Sequence, residues 1–326
     1  MAQRLDAMGV KVFAGCLFPN GDGAIQLKSS CSPRLTILPL DVTSDEQVES
    51  AAKAVSAELG EEPLWCVVNN AGVAVTTEVE WCPLETYTKM WEVNTLGSIR
   101  VTKAFLPLVR KRPRVTTDSH TGRLVYVTSL AGRYTFPGFT AYSMSKSAVC
   151  SFVDGLRREM KKWSLSVHTI EPSLYRTTIS EENVISGAMQ KCWESCSEDV
   201  QTNYGEQYFE EFKMSIMKVL RKARPKTMIS EVVDDMLHAA VGEQPMARYV
   251  PNMVVQLRAK ILTSLPTEVL DYFMCHSAQP STPPAAVRKH PPSLREMKRY
   301  WSMPEKRRLS EDNSTKFVFP ERKGEQ

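Results

Sequence analysis

Leu124-Val125-Tyr126-Val127-Thr128-Ser129 and, beginning thirteen residues after that serine, Tyr142-Ser143-Met144-Ser145-Lys146 decide how this sequence is read. The first is a short apolar, β-rich run ending on a hydroxyl, the pattern of a buried strand whose tip reaches a polar site. The second opens an amphipathic stretch over about residues 141–162, so Tyr142 and Lys146 stand four apart on one helical face. A tyrosine near its reference pKa of about 10 is a poor base at neutral pH, and a neighbouring ammonium favours the phenolate. A Y-x-x-x-K alone is weak evidence, because any helix can carry one as a surface pair.

Working outward, the same strand-then-helix alternation repeats. Residues 10–16, 35–40, 64–69 and 166–170 read as further strands. Ser44, with Gln47 three residues on, forms a capping-box signal for a helix that runs through Ala51, Ala52 and Val55 to Leu59 and stops at Gly60. A long helix is expected over residues 84–110, interrupted late by Pro107. The Asn20-Gly21-Asp22-Gly23 segment reads as a turn. Alternation of this kind predicts an α/β fold with a doubly wound parallel sheet, covered by helices on both faces. Ligands in such sheets bind outside the carboxyl ends of the strands. The polar residues at those ends are Asp41, Asn69, Ser129 and Glu171-Pro172.

Composition bounds the rest. With 326 residues, 42% hydrophobic and 24% charged, the chain suits one large α/β domain with an appendage. No run approaches the ~18 apolar residues of a membrane span, and the start shows no signal-peptide pattern. The eight cysteines are scattered, which suits reduced thiols. Cys192 and Cys196, at helical spacing but without neighbouring histidines, read as packing residues rather than a zinc site. The net charge of +4 is concentrated in residues 277–326, where eleven Lys and Arg face six Asp and Glu and seven of the twenty prolines fall. That segment is expected to be a basic, Pro-rich disordered tail, and the body carries no basic footprint for nucleic acid. Arg307-Arg308-Leu309-Ser310 within it resembles a basophilic kinase site, and residues 110–120 read as a solvated insertion.

Ser129, Tyr142 and Lys146, together with Asn69-Asn70-Ala71-Gly72 and Asn94 in the intervening helix, make the sequence resemble the short-chain dehydrogenase/reductase family over residues 1–276. The resemblance implies a Rossmann-like fold and NAD(P)-dependent interconversion of a secondary alcohol and a ketone. It implies that Tyr142 is the general acid/base, that Lys146 lowers its pKa and binds the nicotinamide ribose, that Ser129 orients the reacting oxygen, and that Asn94 holds a water. Asn69, Ala71 and Gly72 would brace the sheet beside the cofactor, Asp41 would contact adenine, and Pro172 and Thr177 would close on the nicotinamide. Ser173 stands where the family has glycine, which would strain that loop if the backbone there is one only glycine adopts easily.

The larger departure is at the start. The family's first strand and its T-G-x-x-x-G-x-G loop should precede residues 10–16 by about a helix, of which residues 3–9 supply the last turns. The expectation is an N-terminally truncated member whose polypeptide, as given, binds dinucleotide weakly. Its rival is a catalytically silent isoform or paralogue that acts by interaction. After the 10–16 strand, Gly15-Cys16-Leu17-Phe18-Pro19-Asn20 offers neither Asp/Glu nor Arg/Lys, a lean toward NAD that leaves NADP open.

Within the family the likeness is to the branch of D-β-hydroxybutyrate, retinol and 17β-hydroxysteroid dehydrogenases, which implies a hydroxy acid, steroid or retinoid substrate and a homo-oligomer. It also suggests the mitochondrion or the endoplasmic reticulum membrane. The substrate lid is expected at residues 173–224, where Met189, Trp193, Tyr204, Tyr208, Phe209, Phe212, Met214 and Met217 either line a lipophilic pocket or pack the lid on the body. A hydroxy acid would require a cation, for which Arg133 and Arg176 are candidates. Residues 249–274 read as a core helix pair, with a membrane-touching surface as the alternative.

Overall fold

The expected alternation becomes a parallel α/β fold in the computed structural model, which describes residues 1–111, 122–177, 181–278 and 280–289. The strands are β1 (Val12–Cys16), β2 (Leu35–Pro39), β3 (Cys66–Asn69), β4 (Gly122–Val127), β5 (Leu165–Ile170) and β6 (Arg248–Tyr249). Around them lie α1 (Ala2–Ala7), α2 (Asp22–Ser29), α3 (Asp45–Leu59), α4 (Leu84–Met90), α5 (Gly97–Arg110) and α6 (Thr140–Met160). The second half adds α7 (Glu182–Glu194), α8 (Glu198–Tyr204), α9 (Glu206–Arg221), α10 (Ile229–Val241), α11 (Met253–Ser264), α12 (Thr267–Ala278) and α13 (Ala285–Lys289).

Every residue of β5 is buried, as both faces of a central parallel strand must be. Side chains alternate between two cores. Leu124, Tyr126 and Val167 join Val48 and Val55 of α3, Val101 and Phe105 of α5 and Val153 of α6. Val125 and Ile170 point the other way, onto Val232, Met236 and Ala239 of α10. Helices therefore cover both faces.

The sheet is split. β1 pairs in parallel with β2, and β3-β4-β5-β6 form a separate four-stranded ladder. Phe13, Leu38 and Leu40 nevertheless pack on the same core as β4, so one body carries both pieces. The break falls between β1 and β3, where the resemblance puts the family's first strand.

Three local expectations change. The single helix over 84–110 is instead α4, a π-helical turn over Trp91–Leu96, and α5. Gly21 does not merely turn the chain: it caps α2. Ser44 Oγ accepts the Gln47 N–H at 3.2 Å as predicted, but the Gln47 side chain reaches back past the cap to the Asp41 N–H at 2.8 Å.

The lid helices α7 and α9 close over Trp81, which is buried edge-on to Trp193, Phe209 and Phe212. Met189, Trp193, Phe209 and Phe212 thus pack the lid onto the body, while Met214 is exposed. Cys192 is buried there, and the Cys196 thiol donates to the Cys192 carbonyl. Gly138 holds this contact: its φ is +80°, and a Cβ there would stand 2.8 Å from Phe212 Cζ. Gly138→Ala is therefore expected to cost about 2 kcal/mol through left-handed backbone strain plus overpacking. Urea unfolding of the variant beside the parent chain measures it.

The segment from residue 277 begins in order rather than disorder. Arg288 donates to Gln207 Oε1 at 2.7 Å and the Thr282 N–H to Glu211 Oε2 at 2.8 Å, so polar contacts anchor it on α9 despite its few apolar side chains. Residues 290–326, with the kinase-like serine, lie outside the described residues, as does the insertion at 112–121. The reading of 249–274 as a core pair is also corrected. Met253, Val254, Leu257 and Ile261 of α11 and Tyr272 and Phe273 of α12 are exposed, and none of them joins either core of the sheet, because α12 packs on the lid helix α9. No helix among the described residues is long and apolar enough to cross a membrane.

Candidate active site

Asn69 ends β3, Ser129 lies two residues past β4, and Glu171 follows β5 directly, so the polar strand ends meet on one edge of the four-stranded sheet. Ser129 is extended (φ −169°), and its Oγ accepts the Ala131 N–H at 3.1 Å, which closes the turn Leu130–Gly132. That turn rests on α6: a Cβ on Gly132 would come within 2.9 Å of the Lys146 carbonyl oxygen. The close approach brings Ser129 to the helix bearing Tyr142, near enough for its hydroxyl to lower the Tyr142 pKa.

Tyr142 and Lys146 share a face as their spacing predicts, with the ammonium 5.9 Å from the phenol ring centre. The electrostatic outcome differs from expectation. Burial raises the Tyr142 pKa, and the nearby Ser129 hydroxyl offsets this only in part. Lys146 donates to the Val127 carbonyl at 3.1 Å, and burial lowers its own pKa to about 8. Desolvation of both groups outweighs their attraction.

Between about pH 8 and the ordinary lysine value the unfolded chain binds more protons than the folded one, so stability rises with pH across that window. Lys146→Met is expected to stabilise the chain by up to about 3 kcal/mol near neutrality and to flatten the rise. Urea unfolding at about pH 7 and about pH 10 checks the sign and the slope.

Asn94 lies in the π-helical turn and is fully buried. Its Oδ1 accepts the Val73 N–H at 2.8 Å, and its Nδ2 donates to the Val73 carbonyl and to Ser145 Oγ, each at 2.9 Å. Ser145 Oγ in turn donates to the Tyr142 carbonyl at 2.7 Å. Asn94 thus ties the segment after Gly72 to the start of α6. Extra turns of this kind recur at functional sites, and no apolar periodicity announces them.

The residues carried over for a dinucleotide fit one half of it. A Cβ on Gly72 would stand 3.2 Å from Asn94 Oδ1 and 3.3 Å from Lys146 Nζ, so glycine keeps a cradle open there. Asn69 Nδ2 is buried without a partner among the described residues, and Ala71 lies between the two. The Pro172 carbonyl accepts the Leu130 N–H at 3.0 Å, which joins the segment after β5 to the Ser129 turn. Thr177 is exposed at the end of that segment. Ser173 is not in the left-handed region, so no strain arises there; its Oγ is buried without a partner among the described residues.

Asp41, past β2, accepts the Thr43 N–H and hydroxyl at 2.9 and 2.7 Å, which holds its carboxyl below the usual range. The pyrophosphate half is different. The split between β1 and β3 leaves no strand there whose tip could present a glycine-rich turn among the described residues.

Two of the cations considered for a carboxylate ligand are engaged. Arg133 grips Glu171 at 2.6 and 2.9 Å, and Arg176 donates to the Arg221 carbonyl at 2.8 Å. Glu171 was legible only as a strand-end polar residue, and Arg248 not at all. Glu78 and Glu80 were not noticed at all: they line a cavity of about 630 Å³ with Gly138, Thr140, Tyr208 and Phe212.

The family model described as short chain dehydrogenase matches residues 1–186. The chain belongs to the short-chain dehydrogenase/reductase family. Among curated relatives of this dehydrogenase/reductase, estradiol 17-beta-dehydrogenase 2 of Mus musculus is 36% identical over 88% of this chain and 74% of its own length. The 17-beta-hydroxysteroid dehydrogenase type 6 of Rattus norvegicus is 36% identical over 85% of this chain and 84% of its own. A short-chain dehydrogenase from Streptomyces avermitilis, 23% identical over 84% of this chain and 92% of its own, superposes with a TM-score of 0.61 and supports the parallel-sheet fold. These findings make the protein an oxidoreductase of the kind that acts on CH–OH donors.

Proposed function

We propose that the protein interconverts a secondary alcohol and a ketone on a lipophilic, steroid-like substrate, with NAD as co-substrate and NADP as the less favoured alternative. The observation that carries the reading is the packing of the Ser129 turn on the helix of Tyr142, the helix that also places Lys146 beside Gly72. When bound, the nicotinamide ring supplies the hydride acceptor or donor at its C4. This chain does the rest. Ser129 Oγ hydrogen-bonds the substrate oxygen, and the Tyr142 hydroxyl gives that oxygen its proton in reduction or removes it in oxidation. Lys146 holds the nicotinamide ribose, and Asn94 fixes the segment on which Gly72 rides. Asn69, Ala71, Pro172 and Thr177 flank the nicotinamide, and Asp41 the adenine.

Burial keeps the Tyr142 proton on at neutral pH, which favours the acid role and ketone reduction there. Support for NAD is the Gly15–Asn20 stretch without Arg or Lys. A steroid-like substrate is favoured over hydroxybutyrate because Arg133 is locked to Glu171 and so does not meet a substrate carboxylate, and because the relatives above are named for hydroxysteroids. A retinoid is the next candidate. Nicotinamide reduction with a panel of a 17β-hydroxysteroid, retinol and hydroxybutyrate tests the order; hydroxybutyrate turned over fastest would overturn it.

The exposed apolar face of α11, flanked by Arg258 and Lys260, supports contact with a lipid surface, in keeping with a membrane of the endoplasmic reticulum or mitochondrion. A homo-oligomer is part of the same reading. A second reading, a catalytically silent form that acts by interaction, is favoured by the split between β1 and β3.

A further inference from the structure

We propose that Arg133 and Glu171 form a positioning clamp that sets Ser129 against Tyr142. The inference rests on reading those two hydroxyls as the groups that face the substrate. Glu171 is buried at the tip of β5, with four donors on its carboxylate. Oε1 accepts from Thr169 Oγ1 at 2.8 Å, Arg133 Nη2 at 2.6 Å and Arg248 Nη1 at 2.8 Å, and Oε2 from Arg133 Nε at 2.9 Å. The Arg133 pair is the two-pronged kind that fixes orientation as well as distance.

Each partner sits on a different element of the site. Arg133 ends the turn that Ser129 opens, and its N–H donates to the Leu130 carbonyl at 2.8 Å. Arg248 belongs to β6 and also grips Asp154, three turns along α6 from Tyr142. Arg157 holds Asp154 from the other side at 2.6 Å. The network therefore joins the Ser129 turn, the end of β5, the edge strand and the helix of Tyr142. At the front, Gly132 lies on the Lys146 carbonyl, so the turn is pinned from both sides. Neither Arg133 nor Glu171 is among the groups that act directly on the Tyr142 proton; Ser129 is. A half-buried charge set centred on the buried Glu171, with no contact to the reacting groups yet spanning every element that carries them, fits a role in register.

The test is the titration of Tyr142 in the 326-residue chain, followed by the carbon NMR signal of ring-labelled tyrosine and assigned by its loss in Tyr142→Phe. It needs neither cofactor nor substrate. Ser129→Ala, Arg133→Lys and Glu171→Gln are each expected to move the Tyr142 midpoint upward, because each removes or displaces the Ser129 hydroxyl that lowers the Tyr142 pKa. Either clamp variant combined with Ser129→Ala moves it no further than Ser129→Ala alone.

Arg133→Lys keeps the charge and loses only the fork, so a field effect leaves Tyr142 unmoved. Glu171→Gln acting through its field would move the midpoint down. An unmoved midpoint in folded variants, a downward shift in Glu171→Gln, or additive shifts overturns the clamp; so does failure of both variants to fold, which would make the network a folding element. Where turnover is measurable, kcat falls roughly ten- to a hundredfold with KM within about twofold. A chain that turns over nothing but shows the coupled shifts keeps the clamp and loses the proposed function. Turnover with an unmoved Tyr142 does the reverse.

Discussion

Tyr142→Phe lowers kcat by roughly a hundred- to ten-thousandfold in any form of the protein that turns over an alcohol, the range expected for a lost general acid/base. Only one hydroxyl is removed. The ring keeps its packing against Met90 and Ala141, with Val73 and Tyr87 around them, so the helix that carries it stays in place. Lys146 and Gly72 are untouched, and the affinity for nicotinamide cofactor changes by less than about twofold. kcat and kcat/KM fall together, because the proton is in flight only in the transition state. Stopped-flow and steady-state nicotinamide absorbance with parent and variant measure both quantities. Activity within tenfold of the parent would show that another group moves the proton.

The site was readable where local sequence dictates local structure. Ser129 sits at the end of an apolar run because β4 is covered on both faces, and Tyr142 and Lys146 share a helix face by spacing alone. What sequence could not show is how burial changes chemistry. The same helix that pairs Tyr142 with Lys146 desolvates both, so the phenol is raised where a neighbouring cation alone would lower it. Asn94 was found by its place in a motif, but the π-helical turn that aims it leaves no periodic trace.

Long-range partners were the other blind spot. Glu171 meets Arg248 across 77 positions, and Trp81 meets Phe212 from a single 3₁₀ turn, Val79–Trp81, too short to show a period. The split between β1 and β3, by contrast, was legible: a motif absent from the sequence became a missing rung in the ladder.

That split underlies the second large effect. A pyrophosphate is held by backbone N–H groups converging at a strand tip and helix N-terminus. Residues 1–326 carry no T-G-x-x-x-G-x-G loop, and among the described residues β1 and β3 have no common neighbour to present one. The 326-residue polypeptide is therefore expected to bind NAD with a dissociation constant of roughly a millimolar or weaker, two to three orders short of a complete micromolar site. Nicotinamide mononucleotide should bind within a fewfold of NAD, since the half built around Lys146, Gly72 and Asn69 is the half it uses. Calorimetric titration with both ligands separates the outcomes: micromolar NAD binding would show that other residues of this chain cradle the phosphates.

The most direct measurement of the central claim, that this chain moves hydride from a CH–OH carbon, follows the atom itself. A 17β-hydroxysteroid carrying deuterium on its carbinol carbon is incubated with the protein and NAD, and the nicotinamide is analysed by mass spectrometry. Deuterium is expected in the reduced nicotinamide with the parent chain, even when turnovers are few, and is expected to vanish with Tyr142→Phe. Label that never reaches the nicotinamide from the steroid, from retinol or from hydroxybutyrate would contradict the enzymatic account and leave the silent, interacting form in its place.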